Sequence, residues 1–338
     1  MYLAALKKRY KTSAMIGVAS IIVRQTNIVW MLFVACIGVL GIVKNNRETI
    51  KQDHSLNTHE DNVVGSSNAR RIRRRTPSKD DSKKPQITSV SLIPLESNLY
   101  EEFQEAFVIS WKLKGKLIPL FSPFLIVLLI FVAFVYYNGS LVLGAKEAHT
   151  ASLHFAQLMY FSLFSAAMVT PVVFSLDQTS ETIYSLSKNW RLFVILTFSC
   201  FVAVRYFSFA HPYLLADNRH YTFYLWRRFV NPMKYLLVPG YAYSWYSVVR
   251  LLRNRQSGIW VVAYLLCTAA AVVPAPLMEF RYFTVPFFFL VLHAPIERVR
   301  SWVLMGMSFA VVNCFTMMMF LFRPFRWSHE EGVQRFIW

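Results

Sequence analysis

The residues from Tyr213 to Arg228 read Tyr-Leu-Leu-Ala-Asp-Asn-Arg-His-Tyr-Thr-Phe-Tyr-Leu-Trp-Arg-Arg. They place one carboxylate, Asp217, beside Asn218, Arg219 and His220, and follow it with Tyr221, Trp226, Arg227 and Arg228. A guanidinium fork grips phosphate oxygens two at a time. Aromatic faces offer apolar surface to a sugar or an isoprenoid, and a carboxylate or amide orients hydroxyls. The combination suits an anionic, lipid-linked ligand with a sugar head. It equally describes an interfacial belt of Tyr and Trp with snorkelling arginines, and composition alone does not separate the two.

Other residues able to do chemistry lie outside this stretch. Arg24, Gln25, Thr26 and Asn27 interrupt an apolar run. Asn138, Lys146, Glu147, His149, His154 and Gln157 fall between two more, and Glu279 and Arg281 stand between Pro276 and Tyr282. Ionisable residues at membrane depth are costly, which makes each a functional candidate or a partner to another. His149 and His154 would sit about 140° apart on a helix at about 100° per residue, so they form no two-histidine metal face. There is no HExxH motif, no CxxC pair and no Gly-rich phosphate loop. Cys36, Cys200, Cys267 and Cys314 each sit in an apolar run and read as small buried hydrophobes. Asn138-Gly139-Ser140 is a formal glycosylation sequon against a span, where Gly139 more simply turns the chain.

The elements that must position these groups are membrane helices. The 338 residues are 55% hydrophobic and 16% aromatic, with recurrent apolar runs near the roughly 20 residues a bilayer span needs. They lack the alternation of a barrel. The fold class expected is an all-α polytopic membrane protein with about nine spans or part-spans. Residues 1–43 read as a helical hairpin with Arg24 to Asn27 at its tip. A single helix from Ala14 to Val43 would be about 45 Å long, too long for a hydrocarbon core of about 30 Å. Residues 44–118 read as a largely disordered cytosolic loop with an amphipathic helix near 98–112, where Leu99, Phe103 and Phe107 recur every four residues. Residues 119–338 form the transmembrane bundle, with spans at 120–137, 152–176, 192–210, 233–249, 259–273, 283–292 and 302–322. The span at 283–292 is short and carries Pro286.

Net charge is +18, from 36 Lys+Arg against 18 Asp+Glu. The excess clusters in alternate loops, at 44–116, 188–191, 250–255 and 298–300, as positive-inside topology requires, so it calls for no nucleic acid. The opposite side then receives 138–150, 210–232, 274–282 and the C-terminal residues. Arg219, Arg227 and Arg228 stand there against the orientation bias, and phosphate binding would account for them.

The run Tyr213 to Arg228 closely resembles the endoplasmic reticulum α-1,2-glucosyltransferase family that uses dolichyl-phosphate glucose. Collinear segments carry the same resemblance: Arg24-Gln25-Thr26-Asn27-Ile28-Val29-Trp30, His149 with Leu153-His154-Phe155 and Gln157, Lys234-Tyr235-Leu236-Leu237-Val238-Pro239, Glu279-Phe280-Arg281-Tyr282-Phe283, and Arg335-Phe336-Ile337-Trp338. The resemblance implies a GT-C-type bundle in the endoplasmic reticulum membrane. It would transfer glucose from dolichyl-phosphate glucose to the dolichyl-diphosphate-linked oligosaccharide in an α-1,2 linkage, the last step before the glycan is used for N-glycosylation. Two departures stand out. Ala145 follows Gly144 where the family usually has Asp, and the family's acidic first lumenal loop has no counterpart, as if the chain lacked an N-terminal part.

On that resemblance, Arg24, Arg219 and Arg281 would hold the phosphate. Asp217, Asn218 and His220 would orient sugar hydroxyls or hold the arginines, and Tyr221 and Trp226 would offer ring faces. Gln25, Asn27, His149, His154 and Gln157 complete the expected binding set. The general base is unassigned, with Asp217 and Glu279 as the carboxylates on the right side. Neither a cofactor nor a metal is called for. Two other classes fit a multispan chain: a membrane-binding or channel-regulating protein, and a truncated scaffold that binds without turnover. Polar residues collected on one side, with no internal repeat, favour chemistry on a lipid-borne substrate over transport.

Overall fold

The computed structural model describes residues 1–64, 98–141, 152–174, 176–296, 298–328 and 331–337, with backbone alone for 50–64 and 176–177. The regular elements among the described residues are helices, apart from two isolated bridges. After α1 (Tyr2–Leu6), α2 (Tyr10–Val23) stops at Arg24, whose backbone is extended at φ −152° and ψ 117°. The chain then returns as α3 (Asn27–Val64). Asn27 donates its side-chain amide to the Ser20 carbonyl at 2.8 Å. That carbonyl belongs to the last turn of α2, whose acceptors lack a full set of helical partners. The hairpin tip therefore lies where the break in the apolar run puts it. The returning helix does not end at Val43, because no Gly or Pro interrupts 44–64. The basic run at 70–75 lies outside the described residues.

Helix α4 (Leu99–Lys112) precedes α5 (Lys114–Asn138), which ends on Gly139 at φ +67°, a left-handed cap that glycine adopts without strain. The apolar run at 152–176 is broken. It holds α6 (Ala156–Met168) and α7 (Thr170–Val173), because Pro171 has no N–H to continue the ladder and instead starts a new turn. Next, α8 (Leu176–Lys188) meets α9 (Trp190–Tyr206) at a 97° bend. Short helices α10 (Pro212–Ala216) and α11 (Tyr221–Leu225) follow, then a π-helical turn at Trp226–Val230 and α12 (Asn231–Met233). The bundle closes with α13 (Val238–Arg253), α14 (Gly258–Val272), a 3-10 turn at Phe280–Tyr282, α15 (Thr284–His293) and α16 (Val299–Phe322).

Three stretches among the described residues, Asn27–Thr49, Lys114–Asn138 and Val299–Phe322, are long and apolar enough to cross a membrane. The bent α8–α9 pair would add a fourth, and α2, α6, α14 and α15 are shorter apolar helices. Most of α16 faces outward, including Cys314, so that cysteine is not the buried hydrophobe its surroundings in sequence suggest. An outward apolar face of this length belongs in lipid. The chain is an all-α, multi-pass membrane protein.

One core joins α2, α3 and α5 to α14 and α15 around Phe33, Phe124 and Tyr264. A second joins α6, α9 and α13 around Phe161, Tyr241 and Phe283. Small residues set the spacing: a Cβ on Gly38 would come within 2.9 Å of the Phe121 ring and 3.0 Å of the Tyr10 ring, so α3 lies close against α2 and α5.

The helices sort the polar groups to two ends. At the basic end Glu102, only 10% exposed, accepts from the Gly258 backbone N–H at 2.6 Å and pairs with Arg253 at 3.4 Å. Arg47 reaches Glu105 and Arg250 reaches Glu181, both at 2.8 Å. A carboxylate at the first amides of α14 satisfies donors that have no helical partner. The apolar stripe of α4, with Leu99, Phe103 and Phe107, faces away from the bundle. The other end collects the hairpin tip and the loops at 152–155, 207–220 and 273–283. Replacing Glu102 by Ala leaves Arg253 and the Gly258 amide without their acceptor. It should cost about 1–3 kcal/mol, read as a lower thermal midpoint in detergent, with Glu102→Gln intermediate. An unchanged midpoint for both variants would show that this contact does not hold α4.

Candidate active site

The loop between α10 and α11 is organised by Asp217. Its Oδ1 accepts from the Arg219 backbone N–H at 2.9 Å, the short-range turn that Asp side chains favour, and from Arg219 Nε at 3.0 Å. Its Oδ2 accepts from Arg219 Nη2 at 2.8 Å, so the pair is a two-pronged fork. His220 Nε2 stands 3.6 Å from the same oxygen. The hydrogen bonds from Arg219 hold the Asp217 carboxyl below the ordinary aspartate range, against a smaller opposing effect of burial.

A second charged group forms at 279–282. Glu279 is paired with Arg281, and the Arg281 side chain remains largely exposed while Glu279 is mostly covered. The Arg24 guanidinium lies over the Tyr282 ring, 4.6 Å from its centroid, and Arg281 lies 5.7 Å from the same centroid. The hairpin tip at residue 24 and the loop at 281 thus meet at one aromatic ring, Tyr282.

A cavity of about 280 Å³ joins the two groups. Its walls are Tyr213, Leu214, Ala216, Asp217, His220, Thr222, Leu277 and Glu279. Both carboxylates therefore border one space, while their partners Arg219 and Arg281, and Arg24, do not line it. This volume lies just below the range of about 300–1,000 Å³ that takes drug-sized ligands, which suits a single sugar ring better than an oligosaccharide. Among the described residues no three His, Cys, Asp or Glu side chains gather as metal ligands would.

His154 and Gln157 stand behind the wall. His154 lies before α6 rather than on it, so the helical angle to His149 does not arise, and His149, Lys146 and Glu147 fall outside the described residues. The His154 ring is buried and stacks on Phe209 at 4.3 Å. Burial drives its pKa down to about 4, with the Ala275 and Pro276 carbonyls pulling weakly the other way. Gln157 donates to the Leu277 carbonyl at 2.9 Å and to the Ala275 carbonyl at 3.3 Å. Backbone bonds from Ser152 to Pro274 and from His154 to Val273, both 3.2 Å, complete the seam. These residues hold the loop that presents Glu279.

Several expected residues are not brought to the cavity. Trp226 is buried in the second core, edge-on to Tyr160, and offers no free ring face. The Tyr221 ring packs on Phe336 and its hydroxyl donates to the Thr316 carbonyl at 3.4 Å. Asn27 is spent on the hairpin turn, and neither it nor Gln25 lines the cavity. Arg227 and Arg228 are exposed over Phe223 and Tyr224. Asn218 turns outward to accept from Trp327 Nε1 at 2.7 Å. Trp327 and Gln334, both in contact with the loop, were not singled out by sequence reasoning. They lie more than a hundred residues away, with no spacing to link them.

Fold and site together define a multi-pass helical membrane protein whose polar loops close around one sugar-sized cavity at one end. The chain belongs to the DIE2/ALG10 family, whose model matches residues 1–292. It is 45% identical to an Arabidopsis thaliana protein, over all of this chain and 69% of that protein. It is 32% identical to a Homo sapiens protein, over all of this chain and 66% of that one. Both are named Dol-P-Glc:Glc(2)Man(9)GlcNAc(2)-PP-Dol alpha-1,2-glucosyltransferase. The chain spans about two thirds of the length of these curated relatives. No solved structure matches it.

Because the Asp217 carboxyl is held low, its grip on Arg219 is complete above the ordinary aspartate value of about 4 and is lost as pH falls through the depressed one. Amide exchange at 217–220, corrected for its intrinsic pH dependence, should therefore be flat from about pH 8 to about pH 5. It should accelerate only below about pH 4. The Asp217→Asn variant should show no such step, and a step well above about pH 4 in the unaltered chain would show that the Asp217 carboxylate is not what holds the loop.

Proposed function

We propose that this protein transfers glucose from dolichyl-phosphate glucose to the dolichyl-diphosphate-linked oligosaccharide, forming an α-1,2 linkage. The reaction takes place at the lumenal face of the endoplasmic reticulum membrane. The observation that carries the reading is the cavity bordered by Asp217 and Glu279, each paired to an arginine, at the end of the bundle away from the basic loops. The names of the relatives agree with it.

Transfer from a β-linked phosphoglucose to an α product inverts the anomeric carbon. The acceptor hydroxyl attacks in line as the phosphate leaves, and a carboxylate takes its proton. Phosphate is a good leaving group, so it needs cations more than a proton donor. Arg281, mostly exposed, and Arg24, at the same Tyr282 ring, are the cations placed to turn toward it. Of the two carboxylates, Asp217 is the poorer base, because Arg219 holds it ionised. Glu279 is the better candidate: a phosphate that draws Arg281 away leaves it unpaired beside the cavity. Asp217, fixed by Arg219, then forms the part of the wall against which the sugar is oriented.

Arg219→Ala removes the fork and should lower glucosyl transfer by about 10²-fold or more, as loss of a charge-positioning group does, with protein abundance unchanged. In cells lacking the endogenous enzyme, lipid-linked oligosaccharides should then stall at the two-glucose species. Restoration of the three-glucose species by the variant would remove Arg219 from the site.

A further inference from the structure

The segment after α16 doubles back onto the loop that carries Asp217 and Arg219. Phe325 and Gln334 exchange backbone hydrogen bonds at 3.0 and 2.7 Å, and Gly332, between them in sequence, stands at φ +120°. Ile337 donates to the Arg219 carbonyl at 2.9 Å and accepts from the Tyr221 N–H at 3.4 Å, so backbone bonds flank His220 on both sides. Arg335 donates to the Phe320 and Leu321 carbonyls at 2.6 and 3.1 Å, tying the segment to the last turn of α16.

Side chains do the finer work. Trp327 Nε1 donates to Asn218 Oδ1 at 2.7 Å, and its ring lies 4.9 Å from the Arg219 guanidinium. Gln334 Oε1 accepts from Arg219 Nη1 at 3.2 Å. The Arg219 guanidinium thus has one edge on Asp217, one donor on Gln334 and one face on an indole, which fixes its position and its plane. No described residue of 323–337 lines the cavity.

We infer that residues 323–328 and 331–337 are the positioning element of the site. Trp327 and Gln334 set the plane of the Arg219 guanidinium, and Asn218 and the backbone bridge at His220 fix the loop, so that Asp217 and His220 stand at a defined place in the cavity wall. This rests on the transferase reading for its catalytic consequence, but the clamp itself is a statement about the loop. Trp327 and Gln334 act through Arg219 and touch neither the cavity nor the sugar.

The test uses microsomes carrying the full chain in a background without the endogenous enzyme, with dolichyl-phosphate glucose as donor, and amide exchange on the purified full chain. Trp327→Ala and Gln334→Ala should each lower transfer about 10-fold or more, since misplacement by about 1 Å can cost 10²-fold. Abundance should not change. Trp327→Phe keeps a ring under Arg219 and should recover part of the loss. Trp327→Phe combined with Asn218→Ala should be no worse than the worse single variant, because the two remove one shared hydrogen bond. Exchange in Trp327→Ala should quicken at 217–221 and stay unchanged in α13 and α14. Unaltered exchange at 217–221, full transfer by both alanine variants, or exchange quickened across the whole bundle would overturn the inference. If the unaltered chain transfers no glucose, the transferase reading fails, and exchange confined to 217–221 or absent from it still decides the clamp.

Discussion

The end of the molecule that holds the cavity depends on one contact, the fork between Asp217 and Arg219. A lone arginine in a loop pressed against a bilayer would turn to water or to a lipid phosphate. Here two short hydrogen bonds from the guanidinium and one from the backbone, all to the same carboxylate, hold it at a fixed place. The energy of such a partly exposed pair is modest. Its importance is geometric: it holds residues 217–219 in one arrangement, with Asp217 in the cavity wall and Asn218 and Arg219 facing the chain after α16.

The second constraint is the length of α14. Glu102 anchors its first amide at the basic end. At its other end the chain turns at Val273 to Leu277, where carbonyls are taken up by Ser152, His154 and Gln157. Gln157 is fully buried and donates its NH2 to two of these carbonyls, which offsets the desolvation of that group, while its Oε1 is buried without a partner among the described residues. This seam presents Glu279 to the cavity that Asp217 also lines. The two carboxylates therefore come from separate loops, each fixed by contacts that do not involve the ligand, which is how a preorganised site is built.

Much of this was legible in the sequence. Composition and apolar runs imply the all-α multi-pass class, the break at Arg24 implies the hairpin, and Gly139 implies the end of α5. The clustering of odd charges in alternate loops implies that Arg24, Asp217, Glu279 and Arg281 share one end, and the structure brings them there. Side-chain direction was not legible. Trp226 opens a π-helical turn that carries its ring into the core, and Tyr221 faces the segment after α16. The roles of Trp327 and Gln334 are set by tertiary return of the chain, which leaves no periodicity to read. The length of α3 was misjudged because a polar helix without Gly or Pro looks like a loop when only hydropathy is followed.

The charge balance of the site bears on the proposed reaction. Arg24, Arg219 and Arg281 stand against Asp217 and Glu279, so the cluster holds one more positive than negative charge when His220 is neutral. That surplus matches a phosphodiester donor, which carries a single negative charge. As the glycosidic bond breaks, the leaving phosphate gains negative charge, and the cations nearest it become more favourable partners in the transition state than in the ground state. That difference is the one that accelerates a step. A fixed Arg219 is held by Asp217 and gains little from the change. Arg281 can exchange Glu279 for phosphate and gains most. In the proposed reaction the proton acceptor would be released by the same movement that stabilises the leaving group, coupling the two halves of the displacement through one side chain.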